Sequence, residues 1–66
     1  MNNFYTLLTT VEHTTKLESL LNAFRVGLNN WDKSKVFEAQ GCKYVNYTIL
    51  TNDETFRALV NEMNRI

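Results

Sequence analysis

Proline is absent, glycine occurs only at Gly27 and Gly41, and there is one cysteine, Cys42, and one histidine, His13. Each scarcity excludes a class of protein. One cysteine cannot form an internal disulfide, so the chain lacks the staples of small secreted domains and is expected in a reducing cytoplasm. One cysteine with one histidine leaves too few soft ligands for a zinc site, and two isolated glycines make no phosphate-cradling loop. No metal and no cofactor are expected. Seven basic and seven acidic residues cancel, which removes the main source of affinity for nucleic acid. A modest basic excess lies between Arg25 and Lys43, where Arg25, Lys33, Lys35 and Lys43 outnumber Asp32 and Glu38. The first dozen residues show no basic start followed by an apolar run, and no apolar stretch approaches membrane-spanning length. A soluble protein without signal peptide or membrane anchor is expected. With no linker or low-complexity tract, residues 1–66 read as one small domain.

What is present is the material of a folded core. Hydrophobic residues make up 44% of the chain and include four Phe, three Tyr and one Trp, large side chains that disordered segments usually lack. A chain this short buries only about 60% of the surface its unfolded form exposes, so its stability margin is thin.

The longest periodic stretch runs from Thr15 to Trp31. Leu17, Leu20, Leu21, Phe24 and Leu28 recur at helical spacing and share one face. Thr15 with Glu18 three residues later has the form of a reciprocal helix cap. The spacing predicts a helix from Thr15 to about Asn30, carried through Gly27 because Leu28 and Trp31 keep the period. Before it, Met1 to Glu12 fits either a strand or a helix; Phe, Tyr, Leu, Val and three threonines favour the strand. After it, Lys35 to Gln40 and Cys42 to Leu50 read as two strands joined at Gln40–Gly41. That turn pairs Glu38 with Lys43, Phe37 with Tyr44 and Val36 with Val45, joining opposite charges and like apolar groups. Thr51 and Glu54 repeat the capping pattern, and Phe56, Leu59, Val60 and Met63 mark a second helix running to the C-terminus.

These elements assemble as an α+β fold, a two-layer β-α-β-β-α sandwich. Its three-stranded sheet has order 1-3-2, with both helices on one face. The layout resembles a ferredoxin-like fold without its last strand, a likeness of arrangement that implies no function. A helical N-terminus would instead give a helical domain with a β-hairpin wing.

Chemistry is sparse. His13 beside a helix start and Cys42 beside a turn read as surface residues rather than as a nucleophilic pair, and Asp53–Glu54 as favourable charges at a helix N-terminus. No catalysis is expected. The sheet carries large apolar groups on both faces, Phe37 and Tyr44 on one and Val36, Val45, Tyr47 and Ile49 on the other, and two helices cover only one. The second set is the richer and is expected beneath the helices, leaving Phe37 and Tyr44 outward, flanked by Lys35 and Asn46, as a partner-binding centre. The first strand is an outer one with no proline, glycine or lysine to guard its edge. Phe4, Tyr5, Leu7, Thr9 and Val11 are therefore expected to mediate self-association, as a homodimer.

The function these features suggest is a small protein-binding module, a regulator or inhibitor of another protein. Frequent Asn and Thr fit an AT-rich genome such as that of many phages, whose short proteins often act on a host protein. The alternatives are a nucleic-acid-binding regulator, stacking bases on Tyr44 beside Arg25, Lys33, Lys35 and Lys43, and a structural subunit of a larger assembly.

Overall fold

The long strand at the centre of the sheet, Cys42–Thr51, alternates in burial from Tyr44 onward: Val45, Tyr47, Ile49 and Thr51 are buried, while Asn46 and Thr48 are exposed and Tyr44 and Leu50 half-buried. A period of two with one buried face is what a sheet covered on one side requires. The structure is a computed structural model that describes residues 1–65. Strand β1 (Asn3–Thr10) passes through a 3-10 turn at Val11–His13 into helix α1 (Thr14–Ala23). A second such turn at Leu28–Asn30 leads to the short strands β2 (Trp31–Lys33) and β3 (Phe37–Ala39), then β4 (Cys42–Thr51) and helix α2 (Asp53–Met63). The fold is mixed α+β, with the N-terminus a strand as composition suggests. Val11 lies outside that strand, in the turn that follows it. The second helix ends at Met63, and Ile66 lies outside the described residues.

The sheet differs from the expected three strands in order 1-3-2. It has four strands, all antiparallel to β4, in the order β1-β4-β2, with β3 also paired to β4. The residues from Trp31 to Lys33, expected in a helix end and a loop, form the additional strand. Between the pairs Lys33↔Tyr47 and Phe37↔Tyr44 the outer track advances four residues while β4 advances three. One residue is therefore extra, and Lys35 and Val36 share the place opposite Val45 as a β-bulge. Ser34 stitches the break. Its N–H donates to the Asn46 carbonyl at 2.9 Å, and its Oγ accepts from the Asn46 N–H at 3.0 Å. Val36 is not paired with Val45 as expected but stands 56% exposed at the bulge.

Leu17 and Leu21 of α1, Leu59 of α2 and Val45, Tyr47 and Ile49 of β4 form one buried cluster with Val26, so both helices cover the same face. Tyr5 stacks on Phe56 of α2 with ring centroids 4.3 Å apart. Asn46 directs its N–H and C=O at Ser34, away from β1, so alternation along β4 points those of Val45, Tyr47 and Ile49 at β1. On β1, Tyr5, Leu7 and Thr9 are then the hydrogen-bonded residues, and the N–H and C=O groups of Phe4, Thr6 and Leu8 face outward along an unpaired edge.

Both capping boxes are absent. α1 begins after His13 with no side-chain cap, because Glu18 is engaged elsewhere: its Oε2 accepts from the Tyr47 hydroxyl at 2.6 Å and from Lys33 Nζ at 3.0 Å. Tyr47 and then Lys33 hold the Glu18 carboxyl below its ordinary value. Burial and the facing carboxylate push the Tyr47 hydroxyl up. α2 is capped one residue later than expected, by Asn52, whose side chain accepts from the Thr55 N–H at 2.7 Å.

α1 also stops at Ala23, seven residues short of Asn30, and Leu28 is not on its apolar stripe but 82% exposed. The stop is a Schellman motif: the Arg25 N–H donates to the Asn22 carbonyl at 3.1 Å and the Val26 N–H to the Leu21 carbonyl at 2.9 Å. Buried Val26 packs with Leu21, the apolar contact that accompanies this ending. Arg25 takes the left-handed position at φ 61°, where a residue with a Cβ is strained. Arg25→Gly is expected to stabilise the protein by a net of about 0.5–1 kcal/mol, the relief of strain exceeding the added freedom of the unfolded chain. Thermal unfolding checks this, and an unchanged or lower midpoint would contradict it.

Candidate functional site

The uncovered face of the sheet is built by residues that alternate with the core. On β4 it presents Tyr44, Asn46, Thr48 and Leu50; on β1, Phe4, Thr6, Leu8 and Thr10 stand beside them in register. The bulge determines what the outer track adds. Trp31 and Lys33 lie opposite Ile49 and Tyr47, on the covered side. Without the extra residue Phe37, of the same parity, would lie there too. The bulge turns it over, so Phe37 stands opposite Tyr44 with ring centroids 6.0 Å apart at 31°. Such a tilted arrangement is worth about 0.5–1.5 kcal/mol beyond area burial.

The turn that places these rings has a recognisable cause. Gln40 and Gly41 both have positive φ, 53° and 79°, the backbone of the two-residue hairpin turn whose twist matches its strands. Glu38 pairs with Lys43 and Phe37 with Tyr44, as the sequence predicts. Phe37 is 43% exposed, Phe4 75% and Leu8 57%, while Tyr44 and Leu50 are half-buried. Asn46 is exposed on the same face as Tyr44, and Lys35 is exposed in the bulge beside it. The result is an apolar centre with a polar border, carried on the central strand. Sequence reasoning assigned Phe4 to the self-association edge and overlooked Leu8 and Leu50; on the open face Phe4 and Leu8 extend the apolar area along β1 and Leu50 along β4, and the alternation of β1 against β4 was the signal available for them.

The self-association residues fall on different surfaces. Phe4 points to the open face and Tyr5, Leu7 and Thr9 to the covered one, with Thr9 buried. Val11 is exposed in the turn and belongs to neither.

Of Arg25, Lys33, Lys35 and Lys43, only Lys35 stands beside Tyr44 on the open face; Lys43, next to Tyr44 on β4, alternates to the other side. Lys33 is on the covered side, bound to Glu18, and Arg25 is in the turn ending α1. His13 Nδ1 lies 2.8 Å from Thr10 Oγ1, and Cys42 is exposed; among the described residues no hydrogen bond joins the two. No cluster of three or more candidate metal ligands occurs among the described residues, and no helix among them is long and apolar enough to cross a membrane. Comparison with known protein families, curated proteins and solved structures finds no match for this chain.

Proposed function

We propose that this chain is a protein-binding module that acts by covering a surface of another protein, as a regulator or inhibitor without turnover. The observation that carries this reading is the bulge that turns Phe37 outward against Tyr44. Two aromatic rings on a paired strand offer contact area that loses little freedom on binding, and exposed aromatics of this kind with a polar border are the usual anchors of interfaces. The partner that fits has an apolar recess for the two rings and polar groups for Asn46 and Lys35 at its border. A phage-encoded protein directed at a host protein agrees with the composition.

Tyr44→Ala is expected to weaken partner binding by about 2 kcal/mol, roughly 30-fold, while the fold survives because Tyr44 lies outside the buried cluster. Affinity of the purified partner for both proteins, with circular dichroism as the control for folding, measures this. Equal affinity for the folded variant would end the reading. Binding to nucleic acid at low salt, lost in Tyr44→Ala, would favour base stacking instead.

A further inference from the structure

From Asn3 to Thr9 strand β1 reads Asn-Phe-Tyr-Thr-Leu-Leu-Thr. In polarity this is polar, apolar, apolar, threonine, apolar, apolar, polar, a pattern that is its own reverse about Thr6. An antiparallel strand meets its neighbour in reverse order, so such a pattern is complementary to a second copy of itself. We propose that β1 pairs edge to edge with the β1 of a second copy of this chain, on a two-fold axis through Thr6.

The backbone suits this. Phe4, Thr6 and Leu8 direct their N–H and C=O groups outward, so they become the hydrogen-bonded pairs of the new ladder: Phe4 with Leu8 of the second copy, Thr6 with Thr6, and Leu8 with Phe4. On the covered side Tyr5 then lies opposite Leu7. Neighbouring registers are poorer. An axis through Tyr5 sets Phe4 against Thr6 and Leu7 against Asn3; an axis through Leu7 sets Leu8 against Thr6, Phe4 against Thr10 and Tyr5 against Thr9. Only the axis through Thr6 matches every apolar residue with another.

The edge is also accessible. A cavity of about 310 Å³ lined by Leu7, Leu8, Thr9, Val60 and Met63 runs beside β1, so α2 does not close it off, and in this register Tyr5 of the second copy meets its Leu7 wall. No proline, glycine or lysine interrupts Asn3–Thr10, so the usual guards against strand addition are missing. Phe4 and Leu8, exposed in the single chain, cover each other in the pair. This pairing does not rest on docking at Phe37 and Tyr44.

Sedimentation of the wild-type chain is expected to show twice the mass of one chain, with dissociation on dilution. Thr6 is exposed, so Thr6→Lys and Thr6→Glu keep the fold while placing like charges on the axis, and each should weaken the dimer at least about tenfold. Mixed in equal amounts, the two should pair with each other. A wild-type chain that stays monomeric at its highest soluble concentration overturns the proposal, as does a folded Thr6→Lys that still dimerises or a mixture of folded variants that does not. Amide exchange in the wild-type chain tests the register without any variant. The amides of Phe4, Thr6 and Leu8 should slow as concentration rises, and exchange that stays fast at dimer concentrations rules this ladder out.

Discussion

Tyr47→Ala is expected to cost about 3–5 kcal/mol and to leave much of the protein unfolded at room temperature. Tyr47 is fully buried at the middle of β4, beneath α1, with the Trp31 ring 5.7 Å away. Truncating it removes the largest side chain of the core. For 66 residues the whole stability of a typical domain is about 3–10 kcal/mol, so this one change can consume it.

Tyr47→Phe separates packing from the hydrogen bond. It keeps the ring and removes only the donor to Glu18, whose side chain is 35% exposed and so takes water in exchange; the expected cost is about 1 kcal/mol. The pH dependence should change as well. Glu18 is held below its ordinary value, so its contribution is complete above the unfolded carboxylate range and is lost as pH falls through the lowered folded value. Tyr47 is raised, so its contribution is present below the unfolded tyrosine range and is lost above it. In Tyr47→Phe both the acid and the alkaline declines should flatten. Urea melts across pH measure this, and an acid decline as steep as that of wild type would show that Lys33 alone sets the Glu18 carboxyl.

The second large effect is at Leu21. Leu21→Ala is expected to cost about 2–5 kcal/mol, because Leu21 is fully buried and its side chain makes the apolar contact with Val26 that accompanies the Schellman motif. Phe24→Ala should cost less despite removing a larger group, since Phe24 packs only at the border of the core. Thermal melts of the two variants rank them. A greater loss at Phe24 would mean that α1 is rotated toward its C-terminal end.

What could be read from the chain and what could not divide along a physical line. The faces of β4 and the pairing of Phe37 with Tyr44 were legible because period-two alternation and a Gln-Gly turn act within a few residues. Glu18 was misread because its partners, Tyr47 and Lys33, are distant in sequence, and a hydrogen bond from a buried hydroxyl outcompetes a local cap. The end of α1 was hidden because the left-handed position falls on Arg25 rather than on Gly27, two residues beyond. β2 was missed for a different reason: three residues are too few to show a period, and Trp31 happens to continue the spacing of Leu28. The outward position of Phe37 could be anticipated from the hairpin register, but its cause, an extra residue at Lys35–Val36, appears only once β2 is seen on the same edge of β4.

The bulge has a consequence for how large an assembly can grow. It interrupts the outer track between β2 and β3 and sets Lys33 and Lys35 along it, and kinks and lysines are what make a sheet margin a poor template for further strands. The molecule is thus one-sided, receptive along β1 and blunt along the other margin. Growth by strand addition through β1 would therefore terminate after a single step in a closed pair, whereas a chain receptive on both margins would propagate into a fibre.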